Sequence, residues 1–146
     1  MKVQRDKKVL NKKCISYDDN SRCINRIKSF LLIYKNKAVG VAANQLFMKN
    51  RVFGIWYKGK IMIFENPVII SYTSEALIDS DEGCLSIKGG KKVYPVKRPQ
   101  TVVIKDDING EQTFSNYYST VICHEMDHLE GKLISQTTSW KENYGK

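Results

Sequence analysis

Both histidines of the 146-residue chain fall in one five-residue run, His124-Glu125-Met126-Asp127-His128, an HExxH arrangement. On an α-helix, residues four apart lie one above the other, so both imidazoles can reach a single metal ion. Glu125 sits about 100° around such a helix from His124. There it can move protons on a metal-activated water without being a ligand itself. Metal-assisted hydrolysis is the chemistry this spacing suits. The competing reading is a helix with polar residues and no metal.

A catalytic metal needs a third protein ligand and one open position. In zinc proteases of the common HExxH kind that ligand lies downstream, but beyond His128 this chain has only Glu130, Glu142 and no histidine. Glu130 falls on the wrong side of the helix and Glu142 in a terminal tail, so the ligand is expected upstream. Four cysteines are present, and Cys14 and Cys23 show no metal-ligand spacing. By residue type alone Cys84 and Cys123 are about equal candidates, although Cys123 directly precedes His124 and would point off the metal face of a helix.

The elements that must carry these residues follow from periodicity. Asp18-Asp19-Asn20-Ser21 offers N-cap oxygens, and Ile24, Ile27, Leu31 and Tyr34 recur at helical spacing, predicting an amphipathic N-terminal helix that ends at Lys35-Asn36-Lys37. Short β segments are predicted over 52–57, 61–64, 68–71, 101–105 and 112–114, with Asn109-Gly110 as a hairpin signal. Ser115 or Asn116 can cap the helix that holds the HExxH, with Gly131 at its end. The expected fold is α+β, mostly antiparallel sheets packed around a central metal-binding helix, plus an N-terminal helix.

Length and composition set the frame. A chain of this size is expected to form one domain, 1–146. With 42% hydrophobic and 27% charged residues it is too apolar for a disordered chain. No apolar run approaches membrane-spanning length and Met1 to Lys8 leads into no apolar signal core, so a cytoplasmic protein with no membrane contact is expected. In such a chain cysteines are thiols or ligands rather than a disulfide framework. The net charge of +9 favours loose association with polyanions such as RNA or a ribosome surface. The basic residues read as scattered, with short clusters at Lys7-Lys8, Lys12-Lys13, Lys88 to Lys92 and Lys97-Arg98, and no base-reading motif is present, so sequence-specific nucleic-acid binding is not expected. A monomer is expected.

Three motifs occur in one order along the chain: Ala38-Val39-Gly40-Val41-Ala42-Ala43-Asn44-Gln45, Glu82-Gly83-Cys84-Leu85-Ser86, and His124-Glu125-Met126-Asp127-His128-Leu129-Glu130-Gly131. They are similar to the GφGφAAxQ (φ apolar), EGCLS and HExDHLxG motifs of the peptide deformylase family, and the resemblance spans roughly 24–134. It implies a Cys84/His124/His128 metal site holding one divalent ion, Fe(II) in the cell, with Zn(II) or Ni(II) able to substitute. It implies hydrolysis of the N-formyl group of N-formylmethionine at the start of new proteins. A metal-activated water attacks the formyl carbon, Glu125 acts as general base and then acid, and the Gln45 side chain and Leu85 backbone N–H receive the oxyanion.

The same resemblance implies that the peptide pairs beside Gly40 like an added strand. Val39, Tyr117 and Val121 would line the methionine pocket, and Glu82 and Asp127 would orient ligands. Departures from the family pattern are Ala38 for the first glycine, Val41 for leucine and Lys91 where an arginine is usual. Lys91 can give charge to a substrate carbonyl but lacks the planar fork. The short stretch after Gly131 resembles members encoded by bacterial viruses, which lack a long C-terminal helix. Two other readings are weighed: an HExxH zinc endopeptidase, disfavoured by the missing downstream ligand, and a catalytically inactive ribosome-binding relative, supported only by charge.

Overall fold

A computed structural model describes residues 2–73, 75–87 and 93–135. The element order is α1 (Lys7–Leu10), α2 (Ser21–Ile33), β1 (Gly40–Ala42), a 3-10 helix (Ala43–Leu46), β2 (Val52–Tyr57), β3 (Lys60–Glu65), β4 (Val68–Tyr72), β5 (Leu77–Glu82), β6 (Tyr94–Pro99), β7 (Thr101–Asp106), β8 (Gly110–Ser115) and α3 (Tyr117–Leu129). All strand pairs are antiparallel and form three sheets, β1-β2-β3, β4-β7-β8 and β5-β6. The α+β expectation holds.

The first sheet is the centre, and strand alternation explains why. On β2, Phe53 and Ile55 face α3, joining Phe64, Ile122 and Met126 in one core cluster, while Val52 faces α2 with Ile27, Phe30 and Leu31 in a second. Each of these fully buried side chains contributes roughly 1.5–3 kcal/mol. Gly54 shares the α2 side, and a Cβ there would come within 2.6 Å of Ile27 Cγ2. The glycine is what lets the helix lie this close.

Local chemistry departs from expectation at the helix starts. Asn20 precedes α2 without a side-chain cap; its amide instead donates to Tyr17 O (2.8 Å) and to Glu65 (3.0 Å), while Asp19 accepts from the Ser21 N–H. Asn116 precedes α3 in the left-handed region, φ 57°, also without a side-chain cap. Strands β5 and β6 were not foreseen. Asp79, Ser80, Asp81 and Glu82 have poor strand propensity, and Pro95 and Pro99 fit only where a strand has a free edge. The two pair only with each other among the described residues, so the prolines cost no ladder bond to a third strand.

Candidate active site

Helix α3 turns Cys123, Met126 and Leu129 into the core and brings His124 and Glu125 to a cleft. Strand β5 ends at Glu82, and the turn after it carries Cys84 to the same place. One ligand atom each from Cys84, His124 and His128 lies within 4.8 Å of the others, and Cys84 Sγ is 3.4 Å from His128 Nε2. Burial disfavours a Cys84 thiolate, but the charge of His128 and hydrogen bonds with His124 and His128 outweigh it and bring the thiol down to about 5. A thiolate and two imidazoles are a suitable donor set for a first-row divalent ion. Cys123 is fully buried, and burial pushes its thiol up despite the nearby Arg98 charge. Glu130, the other residue set aside, faces Arg51 at 2.9 Å.

Behind the triad stands a buried ion cluster. Arg98, with no exposed surface, donates through Nε (3.0 Å) and Nη2 (2.8 Å) to both oxygens of Glu82 and through Nη1 to Asp127 Oδ2. Glu82 Oε1 in turn accepts from His124 Nδ1 at 2.8 Å, an assignment of the tautomer that leaves Nε2 toward Cys84. Burial opposes the Glu82 charge, but the hydrogen bonds from His124 and Arg98 and their positive charges bring its carboxyl down to about 2. His124 is pulled the other way: burial disfavours its positive form, but bonds to Cys84 and Glu82 and the charge of Glu125 raise it well above its ordinary value. A cation bound at Nε2 would take the place of that proton.

Glu125 is almost fully buried, and burial raises its carboxyl above the ordinary range although His124 and His128 pull it down. Its Oε1 has no hydrogen-bond partner among the described residues. On its other side is Gly40, where a Cβ would sit 2.8 Å from Oε2. Lacking a side chain at residue 40 is therefore a condition for Glu125 to lie where it does.

The 3-10 helix after β1 supplies Gln45. Its Oε1 accepts from the Ala42 N–H (3.0 Å), which aims Nε2 at Ser86 Oγ (3.1 Å) and Cys84 Sγ (3.6 Å). Asn44 beside it donates to the His128 carbonyl at 2.7 Å, tying this segment to the end of α3. Leu85 is partly exposed, and its N–H has no acceptor among the described residues. Gln45, Cys84, Leu85, Glu125, Val39, Gly40, Tyr117 and Val121 all border one cleft of about 720 Å³. Val121 is buried, whereas Val39 and Tyr117 are more than half exposed at its mouth. Lys91 lies outside the described residues.

The polypeptide deformylase model matches residues 2–143. The chain belongs to that family. Among peptide deformylases it is 36% identical to that of Karelsulcia muelleri over 136 residues, covering 86% of this chain and 70% of that one. Peptide deformylase 1B of Arabidopsis thaliana, solved with an inhibitor, superposes with a TM-score of 0.79 at 29% identity over 94% of this chain and 82% of that one. The PDF of the Vibrio parahaemolyticus bacteriophage VP16T, solved with actinonin, shares the fold with a TM-score of 0.78 at 23% identity, covering 91% and 99%.

For a peptide deformylase read from its motifs alone, Arg98 is the residue that escapes notice. It stands beside Lys97 and Pro99 and looks like surface charge. The available signal is period two: Val96 and Arg98 are buried while Pro95 and Lys97 are exposed, so Arg98 shares the inward face with Val96. Two buried acids, Glu82 and Asp127, also require a cation between them. Ser86 and Asn44 escape for a simpler reason, being short polar residues whose roles exist only once the 3-10 helix and the Cys84 turn meet.

Proposed function

We propose that the protein removes the formyl group from N-formylmethionyl peptides, with Cys84, His124 and His128 holding one divalent ion. Iron(II) is the resident metal in this reading, with Zn(II) or Ni(II) able to substitute. The ion supplies a Lewis acid that lowers the pKa of water and polarises the formyl oxygen. Glu125 takes the proton from the attacking water and returns it to the leaving amine; its raised carboxyl suits both transfers. Gln45 Nε2 and the Leu85 N–H receive the oxyanion that forms as the formyl carbon becomes tetrahedral. Glu82, backed by Arg98, keeps His124 in the tautomer that offers Nε2.

The observation that carries this reading is that Cys84 and His124, clustered with His128, meet in one cleft a buried Glu125 oxygen that has no partner among the described residues. The cleft also runs between β1 and β5, each an edge strand, so an extended peptide can hydrogen-bond to the backbone beside Gly40. Val39, Tyr117 and Val121 then take the methionine side chain, and Lys91 gives charge to a substrate carbonyl. No described helix is long and apolar enough to cross a membrane. Action in the cytoplasm as a monomer, with weak and salt-sensitive ribosome association, completes the proposal.

The test is the purified protein on a formyl-Met tripeptide, with metal content measured alongside. Release of formate with one metal per chain supports the proposal. Internal cleavage of longer peptides would favour an endopeptidase instead. No turnover at full metal occupancy would leave the inactive relative standing.

A further inference from the structure

The net charge is not spread over the molecule. Between Asn20 and Phe64 there is no aspartate or glutamate, yet nine of the 24 Lys and Arg fall there. That segment holds the whole +9, and the rest of the chain, with equal numbers of acidic and basic residues, is neutral. The scattered pattern read from the sequence is thus segregated along the chain. The segment folds as α2, β1, the 3-10 helix, β2 and β3, with α2 packed on the face of the central sheet opposite α3.

We infer that the solvent face of α2 and the turns at its C-terminal end form a docking surface for the phosphate backbone of structured RNA. Arg22, Arg26 and Lys28 lie exposed on α2, and Lys35 and Lys37 are exposed in the turn after it. The β2-β3 turn with Lys58 comes to the same end, because the Trp56 indole donates to Leu31 O (3.2 Å) and the Trp56 N–H to Val39 O (2.9 Å). None of these six cations has an ion-pair partner among the described residues. Arg51, the half-buried exception in the segment, is the one neutralised, by Glu130.

Their placement does not serve the helix. Arg22 and Arg26 are four apart, where like charges destabilise a helix, and Arg22 sits in its positive first turn. No acid occupies the first turn itself and no base the last turn, so apart from Asp19 at its start the charges do not support the helix. These exposed cations, unneeded by their own helix, are free to meet an external anion.

Three features favour RNA over other anions. The 13-residue helix spans about 20 Å, long enough for several successive phosphates. Its apolar face, Cys23, Ile27, Phe30 and Leu31, is already buried in the core, and Leu32 and Ile33, exposed at its C-terminal end, offer too little apolar surface to seat it in a bilayer. The charges are repeated rather than focused in one pocket, which suits a polymer of evenly spaced anions. Lys37 also borders the cleft, so an RNA held here would lie beside its mouth.

The inference rests on charge and exposure and not on the deformylase reading, so binding and turnover are scored separately. The metal-loaded full chain is titrated into a dye-labelled RNA hairpin of mixed sequence and followed by fluorescence anisotropy. Contact with about five phosphates predicts that log K falls with log salt at a slope of about −3.5 to −4.5, a loss of about a hundredfold or more between 50 and 200 mM salt. The triple variant R22E/R26E/K28E should lose at least about tenfold in affinity and about two units of slope. Its uncharged counterpart R22Q/R26Q/K28Q should lose less, in the same direction.

The control K7E/K12E/K105E changes net charge equally on exposed positions of the neutral part and should shift affinity less than about threefold. Formyl-Met hydrolysis should be unchanged in all three, and the melting temperature should not fall in the two α2 variants. Equal losses for the two reversal variants would reduce the effect to bulk charge and overturn the surface. So would absence of RNA binding by the parent chain at low salt. Tighter, α2-dependent binding to anionic lipid vesicles that displaces RNA would assign the face to a membrane instead.

Discussion

Gly40→Ala offers a test of why Glu125 lies where it does. The added Cβ would stand 2.8 Å from Glu125 Oε2, 3.1 Å from its Cδ and 3.1 Å from the Gly54 carbonyl. Gly40 does not have positive φ, so alanine adds no backbone strain and the effect is steric. Ordinary contact begins near 3.4 Å, so if β1 and β2 hold their places the carboxylate must retreat by about 0.6 Å. Overpacking of this kind costs about 1–3 kcal/mol. A misplacement of about 1 Å in a reacting group can cost about a hundredfold, so kcat on a formyl-Met tripeptide should fall about tenfold to a hundredfold.

KM should stay within about threefold, since a lost transition-state interaction lowers kcat and kcat/KM together. Metal content should match the parent. A shorter acid makes room, so adding Gly40→Ala to Glu125→Asp should cost less than about threefold, a strong departure from additivity. A raised KM with kcat intact would refute the reasoning. It would show that the missing side chain serves the approaching peptide and not Glu125.

The remaining expectations can be checked with the same protein. Glu125→Gln should keep the metal and the fold while activity falls by about 10²–10⁴-fold or more; near-normal turnover at full occupancy would end its role as proton carrier. Cys84→Ser should lose metal by elemental analysis where Cys123→Ser does not, and equal metal content would remove Cys84 from the site. Arg98→Met leaves Glu82 and Asp127 buried without their cation and should cost about 3–5 kcal/mol in denaturant unfolding. Because the Glu82 carboxyl is lowered from 4.5 to about 2 on folding, the stability it contributes is present above pH 4.5 and lost as pH falls toward 2. Thermal melts across that range should show a decline that Arg98→Met flattens. Replacing formyl-Met by formyl-Gly should lower kcat/KM about tenfold or more if Val39 and Val121 bury the side chain.

Much of the site could be read in the chain before folding, because its chemistry is written in local spacing. His124 and His128 need only a helix to meet, and the helix announces itself through Val121, Ile122 and Leu129. Ile27 and Leu31 likewise mark α2, and the β7-β8 hairpin follows from Asn109-Gly110. What sequence could not show depends on contacts far apart along the chain. Arg98 reaches Glu82 across 16 positions and Asp127 across 29, so nothing in its neighbourhood marks it as buried. Strands β5 and β6 follow packing rather than propensity, with Asp79 and Pro95 tolerated because one face and one edge are free. The charge asymmetry is not visible in local clusters, because its signal is the absence of acids over a long stretch.

Among the described residues the β5-β6 ribbon joins neither of the other sheets, and two strands alone are marginal in water. Among the contacts that fasten this wall of the cleft to the body of the protein are Arg98 reaching Asp127, Glu82 reaching His124 and Cys84 beside His128, next to the Ser119 hydroxyl donating to the Pro99 carbonyl. The groups that set reactivity are therefore also the clasp that keeps the wall shut. Any change that retunes the thiolate or the imidazoles also alters how tightly the wall closes. In this chain chemistry and architecture cannot drift independently, and a lineage exploring new substrates must change both at once.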